Sequence, residues 1–493
     1  MNLFVSLQLD KGSSLPLYHQ LYQQLKTLIT SKTLKENEKL PAVRKLAREL
    51  GVNNITVINA YRMLEKEGLI YSKTGSGTYV LPHQTIISSE NITLQPSRGI
   101  PELDIMDHGQ VKITADTINF ASAIPTPELF PVEDFKKILN EVLDRDRGNA
   151  FGYHESQGFF PLRESICGYL EKNGIKADIN NIQIISGAQQ GIDIVAKSLL
   201  NYGDYVITEN PTYTGAIAAF KSRGVNIIPV DIEPDGISIS GLEKAIKDYK
   251  PKLIYVMPSF QNPTGYCYSI EKQKSLLELC SQENVFVVED DSFTELYYDG
   301  KARCPLKTLD DKDNVVYIKS FSKIFMPGLR VAFLLSPQSA ISRLIAAKHT
   351  SDITTSGLMQ RAFDLYLRNN LWQKHIQFMK DIYQQRYNLM LSSFNKHLPE
   401  EITYFPPGGG LTIWLSLSAD CSPDIFYQQC LKEQVIVTPG NLFYPDNLAV
   451  NRFRISFAAV YPEFIEKGII KLGQCYRQSV NLSTKRTEYS PLL

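Results

Sequence analysis

Three helical patterns follow one another near the start of the chain, because apolar residues there recur at spacings of three and four. The first comes directly after Pro16, which suits an early helical position, and the second ends at Gly51. The third stops before Gly68. Two short helices around a tight glycine-containing turn predict a helix-turn-helix, whose second helix enters the major groove of DNA. The patterns cover residues 18–29, 43–50 and 57–64.

The segment after the third pattern has the composition of two short strands around a glycine-rich tip. It reads Leu-Ile-Tyr-Ser-Lys-Thr-Gly-Ser-Gly-Thr-Tyr-Val over residues 69–80, which predicts a wing. The helical and the strand pattern of apolar residues both fade over residues 81–117, where prolines interrupt runs of Ser, Asn, Gln and Asp. A stretch of this length without a pattern predicts a linker.

Fully apolar runs alternate with helical stretches in the rest of the chain. This alternation predicts an α/β domain with a mostly parallel sheet covered by helices on both faces. Ligands bind such sheets outside the carboxyl ends of the strands, so the loops after each run are the candidate sites. The runs cover residues 182–185, 205–208, 253–257, 285–288, 315–318 and 331–335.

The loop after the run at 315–318 carries Lys323 between Ser320, Ser322 and Arg330. This combination suits a covalently held, phosphorylated aldehyde, because the amine forms an imine while hydroxyls and a guanidinium hold the phosphate. Taken by itself, the stretch is more typical of a solvated loop lysine than of a catalytic one.

Other strand ends add side chains that a pyridoxal phosphate ring requires. Tyr213 offers an aromatic ring, Asn262 an amide, and Asp290 or Asp291 a carboxylate. Individually they are explained as a packing residue, a turn former and a helix cap. The turn Ser186-Gly187-Ala188-Gln189 joins a strand to a helix, where backbone N–H groups bind a phosphate well, although simple turn chemistry also accounts for it. Their joint placement beside Lys323 favours the cofactor site.

Charge is unevenly distributed although the whole chain is neutral. Residues 1–80 contain 11 Lys or Arg against 6 Asp or Glu, a net charge of +5, and residues 81–493 contain 41 against 46, a net charge of −5. A basic head on an acidic body indicates that only the head meets a polyanion.

Seven scattered cysteines without a C-x-x-C pair indicate reduced thiols and no metal site. The N-terminus lacks a basic signal-peptide pattern, and no run of about 18 apolar residues occurs, so we expect a cytoplasmic protein that does not contact the membrane.

Residues 40–80 resemble the winged helix-turn-helix of the GntR regulator family. The resemblance implies double-stranded DNA as a partner, with contacts from Arg44, Thr56, Gly75 and Ser76. Asn54 stands where the family usually has an arginine, so it either reads an adenine edge or belongs to a merely polar helix face.

Residues 119–478 resemble a fold-type-I, pyridoxal-phosphate-dependent aminotransferase, and the whole chain resembles the MocR/GabR class of transcriptional regulators. The resemblance implies that Lys323 forms the internal aldimine and that Asp290 pairs with the pyridinium nitrogen, both as catalytic residues. It also implies that Asn262 binds the phenolic oxygen and that Tyr213 stacks on the ring. The implied phosphate ligands are Gly187, Ala188, Gln189, Ser320, Ser322 and Arg330.

A small C-terminal α+β subdomain is expected to supply Arg454, which matches the arginine that grips a substrate carboxylate. A buried structural ion pair is the alternative for this residue. Two positions depart from the family: Ser292 replaces a tyrosine common in relatives, and Ala332 replaces a glycine. Ser292 weakens the expectation of efficient transamination.

The expected domains are a winged helix at 1–80, a linker at 81–117, an aminotransferase-like domain at 118–478 and a tail at 479–493. We expect a homodimeric, DNA-binding regulator that senses an amino compound through external aldimine formation at Lys323. The alternatives are an active aminotransferase that carries an accessory DNA-binding head, and a sensor of the cofactor itself.

Overall fold

The computed structural model describes residues 7, 9–10, 16–31, 33–35, 38–66, 69–73, 77–80, 114 and 116–487. The expected DNA contacts Gly75 and Ser76 and nearly all of the expected linker lie outside the described residues. Two compact units divide the chain, residues 1–95 and 96–493, and each has its own hydrophobic core.

The first unit is a winged helix-turn-helix, as the periodicity predicts. Helix α2 ends shortly before Gly51, whose φ of +61° lets the chain turn into α3. Strands β1 and β2 form the predicted antiparallel wing, with Ile70 opposite Val80. The elements are α1 (Leu17–Thr30), α2 (Val43–Glu49), α3 (Asn54–Lys66), β1 (Ile70–Lys73) and β2 (Gly77–Val80).

A large twisted sheet organises the second unit. Its strands, preceded by the short β3 (Ile118–Asn119), are β4 (Ile182–Ile185), β5 (Tyr205–Asn210), β6 (Asn226–Glu233), β7 (Gly236–Ile237), β8 (Leu253–Val256), β9 (Phe286–Asp291), β10 (Val315–Ser320) and β11 (Ala332–Leu335). The spatial order is β4-β11-β10-β9-β8-β5-β6-β7. Six strands run in the same direction, and only β11 and β7 pair antiparallel with their neighbours. The prediction of a mostly parallel sheet is therefore confirmed, and the candidate residues lie at the carboxyl ends of five of these six strands.

Helices cover both faces of this sheet, because each strand is apolar on both sides. Ile318 and Ile185 pack into one apolar layer, and Ile254 and Val287 pack into the other. The helices are α4 (Val132–Asp146), α5 (Phe160–Lys172), α6 (Ala188–Leu199), α7 (Thr214–Ser222), α8 (Ile239–Tyr249), α9 (Ile270–Gln282), α10 (Ile341–Asp352), α11 (Gly357–Arg368) and α12 (Leu371–His397).

The C-terminal part forms the expected α+β subdomain around an antiparallel sheet of order β12-β13-β16-β15. Its elements are β12 (Thr403–Tyr404), β13 (Thr412–Ser416), α13 (Pro423–Lys432), β14 (Val435–Ile436), β15 (Thr438–Pro439), β16 (Arg452–Ser456) and α14 (Pro462–Thr487). Strand β14 pairs with β3, which ties this part to the start of the unit. The expected tail from residue 479 begins inside α14. Within the described chain, none of these helices combines the length and apolar character needed to cross a membrane.

Candidate functional site

Lys323 lies just beyond the carboxyl end of β10, in a half-buried loop. Its amine makes no hydrogen bond or ion pair with the described residues. Burial, together with the positive charges of Arg454 and Arg330, lowers the pKa of Lys323 to about 8, although the negative charge of Asp290 partly opposes this shift. A substantial fraction of the amine is therefore deprotonated at mildly alkaline pH, the form in which an amine attacks a carbonyl carbon.

Asp290 lies near the end of β9 with 2% of its surface exposed. Its Oδ2 accepts a hydrogen bond from the Tyr255 hydroxyl at 2.7 Å, and its Oδ1 accepts a longer one from Ser292 at 3.4 Å. Burial raises the pKa of Asp290 to about 6, and among the described residues no cation forms an ion pair with it. A buried carboxyl that lacks a basic partner suits a ligand that brings a positively charged N–H.

Arg454 projects from β16 into the same region and is held by neutral oxygens. Its Nη1 donates to Oδ1 of Asn262 at 3.1 Å, and its Nη2 donates to the hydroxyl of Thr438 at 3.0 Å and to the carbonyl of Ala121. Burial lowers the pKa of Arg454 to about 10. Because no described carboxylate pairs with it, the structure does not contain the buried ion pair that was the alternative for this residue.

The strand-to-helix turn at Gly187 has the geometry of a phosphate cradle. Gly187 has a φ of +101° directly before α6, whose first N–H groups, from Ala188 and Gln189, have no acceptor within the helix. Arg330 donates from Nη2 to the carbonyl of Ser186, and a Cβ on Gly187 would collide with this guanidinium. Positive charge and free backbone donors thus meet at one point, as an anion requires.

The side chains of Tyr213 and Gln189 both lie against Gly215, where an added Cβ would collide with each of them. Gln189 donates from Nε2 to the carbonyl of Gly215 at 2.8 Å. Ser320, at the end of β10, is buried, and its hydroxyl accepts the N–H of Ser322 at 3.3 Å. The proposed ring and phosphate residues thus come from five separate strand ends of one sheet.

Two residues that hold site residues in place were not predicted from the sequence. Tyr255 binds Asp290, but within the run Leu-Ile-Tyr-Val-Met it has the pattern of a packing residue. Asp352, at the end of α10, accepts hydrogen bonds from Gln190 at 2.8 Å and from Ser186 at 3.4 Å, and so braces the turn before Gly187. Tyr255 carried a usable signal, a polar group in a buried strand, whereas nothing in the local pattern distinguishes Asp352.

In the first unit, Arg44 is exposed in the first turn of α2, and Asn54 is exposed at the start of α3. Thr56 is half-buried and directly precedes the first core residue of that helix. Val57 is fully buried and fixes which side of α3 faces inward. These three expected contacts therefore lie on the two helices of the helix-turn-helix.

The residues of the second unit fit pyridoxal 5'-phosphate. The amine of Lys323 is unpaired within the described chain, and Asp290 is a buried carboxyl without a cation. The turn at Gly187 offers backbone donors next to a guanidinium. These features match the aldehyde, the ring nitrogen and the phosphate of that molecule.

Comparisons with known proteins agree with both units. Residues 115–472 match the family model "Aminotransferase class I and II", and residues 17–80 match "Bacterial regulatory proteins, gntR family". An uncharacterized HTH-type transcriptional regulator, YdfD of Bacillus subtilis, is 29% identical over 474 residues, which cover 94% of this chain and 97% of YdfD. The probable rhizopine catabolism regulatory protein MocR of Rhizobium meliloti is 25% identical, with 95% of this chain and 96% of MocR covered.

Among solved structures, the α-aminoadipate aminotransferase LysN of Thermus thermophilus matches with a TM-score of 0.70 and 30% identity. The match covers 76% of this chain and 98% of LysN, and that structure contains N-(5'-phosphopyridoxyl)-L-leucine. The cofactor of this fold is pyridoxal 5'-phosphate. The chain therefore belongs to the class I and II aminotransferase family, joined here to a gntR-family DNA-binding domain in the manner of HTH-type transcriptional regulators such as MocR.

Proposed function

We propose that this DNA-binding regulator senses an amino compound at Lys323 and converts its binding into a change in DNA affinity. The observation that carries the proposal is the half-buried Lys323 amine, whose pKa is lowered to about 8 and which is unpaired within the described chain. Such an amine can attack a carbonyl carbon, and another amine can later take its place on that carbon.

When bound, pyridoxal phosphate supplies an aldehyde carbon on which the amine of an effector can replace the amine of Lys323. Asp290 would hold the ring nitrogen through its buried carboxylate, and Tyr255 and Ser292 orient that carboxylate. Asn262 and Tyr213 would fix the ring, while the turn at Gly187 would hold the phosphate. These contacts leave the aldehyde carbon as the position at which amines compete.

Arg454 is the proposed ligand for an effector carboxylate. Its two Nη atoms now donate to neutral oxygens of Asn262, Thr438 and Ala121. A carboxylate accepts such hydrogen bonds about twice as strongly as neutral oxygens do, so it would displace them. Because Ala121 belongs to the segment that begins the second unit, this exchange would give the bound and free states different contacts, as a two-state switch requires.

A homodimer is part of this proposal. Phe151 and Tyr153 are 70% and 86% exposed, and a nearby apolar residue, Ile353, is 50% exposed. The segments that carry them meet where Gly357 contacts His154. Clustered exposed apolar side chains are typical of a protein interface, and two paired heads would read two half-sites.

An aminotransferase remains the second candidate, because Lys323, Asp290 and Arg454 are all present in one site. Two observations favour regulation. The hydroxyl of Ser292 donates to Asp290, at the position where relatives commonly have a tyrosine that reaches the phenolic oxygen of the cofactor. In addition, residues 17–80 match the gntR family model. The cofactor-sensing alternative predicts DNA binding that responds to pyridoxal phosphate by itself.

The test uses the full chain loaded with pyridoxal phosphate and DNA duplexes selected from a random pool. The probes are the protein L-amino acids, their D-enantiomers and the corresponding decarboxylated amines. We expect one L- or D-amino acid to shift the visible absorption band and to change DNA affinity at least about fivefold. Its decarboxylated amine should have a weaker effect because it lacks the partner of Arg454.

Lys323→Ala and Lys323→Arg should lose the response while keeping DNA affinity. Lys312→Ala is the matched control, since the side chain of Lys312 is 65% exposed. A response by Lys323→Ala equal to that of the wild type would refute the sensing mechanism. Repeated turnover to 2-oxo acids at about 1 per second or faster would instead support the aminotransferase.

A further inference from the structure

The outward face of helix α3 carries an exposed isoleucine. Core residues define the inward face of this helix: Val57, Ala60, Tyr61 and Leu64. At 100° per residue, Ile55 and Arg62 lie about 20° apart on the opposite side, and Asn59 lies about 40° from Ile55. Ile55 is 61% exposed, Arg62 is exposed and Asn59 is half-buried. These three residues form the outward face of α3, on the side away from the core.

The start of α3 is anchored, so the position of Ile55 is well defined. The Oδ1 atom of Asn53 accepts the backbone N–H of Ile55 at 3.1 Å, which satisfies one of the unpaired donors of the first turn. Ile55 is flanked by Asn54 and Thr56, the expected DNA contacts of this helix. Isoleucine is a modest helix former, and its exposure leaves it without packing energy in the unbound head.

We propose that Ile55 contacts the 5-methyl group of a thymine and thereby selects the operator sequence. In the major groove, that methyl group is the apolar feature of the base edges, whereas the other edges present hydrogen-bond donors and acceptors. A branched hydrocarbon gains free energy against the methyl group and loses it against a polar edge that it desolvates. The net charge of +5 on residues 1–80 attracts the phosphates of DNA to the head, and Arg62 adds a positive charge to the outward face of α3. The inference rests on DNA binding by the head and is independent of effector sensing.

The experiment replaces thymines by deoxyuridine, which lacks only the methyl group. Full-length protein first selects duplexes from a random pool, and each thymine of the selected half-site is then replaced singly. At one thymine per half-site we expect wild-type affinity to fall about three- to fivefold, the value for one buried methyl group. Ile55→Ala should bind the thymine and deoxyuridine duplexes equally, and Ile55→Val should show an intermediate ratio.

Ile470→Ala is the matched control, because Ile470 is 38% exposed in α14 and should leave the thymine preference unchanged. The inference is overturned if wild-type protein tolerates deoxyuridine at every position, or if Ile55→Ala still distinguishes the two duplexes. Failure to enrich any duplex would overturn DNA recognition by the head, and this inference with it. Loss of the amino acid response with an intact thymine preference would count against the proposed sensing mechanism only.

Discussion

Asp290, the proposed partner of the ring nitrogen, is a buried carboxyl whose charge is unfavourable in the cofactor-free protein. Its pKa is raised to about 6 because burial disfavours the charge more than the hydrogen bonds from Tyr255 and Ser292 favour it. In the unfolded chain an aspartate has a pKa of about 3.9. The native state therefore binds this proton more tightly, so its contribution to stability is complete below about pH 4 and is lost as the pH rises through 6.

We therefore expect Asp290→Asn to stabilise the cofactor-free protein at pH 8 and to weaken cofactor binding. The stabilisation should be on the order of 3 kcal/mol, since the two pKa values differ by about two units and each unit contributes about 1.4 kcal/mol. It should disappear near pH 4. Denaturant unfolding of the cofactor-free chain at several pH values measures the first effect, and titration with pyridoxal phosphate measures the second.

Asp311→Asn is the control for this prediction, because the side chain of Asp311 is 80% exposed and should show neither effect. If Asp290→Asn destabilised the cofactor-free protein at pH 8, the carboxyl would have a stabilising partner that this explanation omits. If it bound pyridoxal phosphate as tightly as the wild type, Asp290 would not hold the ring nitrogen.

At the residue scale, the sequence predicts candidate side chains that directly follow a strand. It does not predict the residues that hold those side chains in place. Lys323 and Asn262 are predicted as site residues because residues after apolar runs share one edge of a parallel sheet. Tyr255 was missed because a tyrosine in a buried strand is usually explained by packing. Asp352 was missed because its contact with Ser186 joins residues that only the tertiary fold brings together.

At the element scale, period and composition predicted the helices of the head, the wing and six of the sheet strands. Strand β6 was missed because Pro229 and three acidic or polar residues interrupt its apolar pattern. The direction of β11 could not be predicted from the sequence either, because an apolar run of four residues is compatible with a parallel or an antiparallel strand. The structure shows β11 antiparallel to both neighbours.

The turn from β4 to α6 depends on a backbone conformation that glycine alone adopts readily. Gly187 has a φ of +101°, and a Cβ there would displace the guanidinium of Arg330 from the carbonyl of Ser186. Such a conformation costs other residues about 1–3 kcal/mol. We expect Gly187→Ala to weaken pyridoxal phosphate binding by about 5- to 100-fold, as measured by equilibrium titration of the cofactor-free protein.

Gly328→Ala provides the comparison for the turn. Gly328 precedes Arg330 by two residues, its φ is not positive, and a Cβ there would meet no atom within 4 Å. Its substitution should change cofactor affinity by less than about twofold, as expected for a surface position. Equal losses of cofactor affinity from the two substitutions would show that an added methyl group in either loop weakens binding. The turn at Gly187 would then have no special role.

On the scale of the whole molecule, the proposed sensing mechanism depends on connecting a basic head with a site in an acidic body. Neither unit requires the other for its core, because the apolar clusters of the two are separate. An effector can therefore act on DNA binding by changing how two heads are presented, without altering the fold of either head. This explanation requires two chains, and so it depends on the proposed homodimer.

The double variant Phe151→Asp and Tyr153→Asp tests that requirement. Two charges in an apolar interface should separate the chains, so light scattering should give the mass of one chain. Affinity for a duplex with two half-sites should then fall by about 100-fold or more, because the second head no longer binds as part of the same complex. Affinity for a single half-site should not change. Tyr202→Asp is the control, since Tyr202 is 90% exposed in the turn before β5, outside the proposed interface patch. Retention of the two-chain mass by the double variant would exclude this patch as the interface, and equal losses on both duplexes would place the defect in the head rather than in pairing.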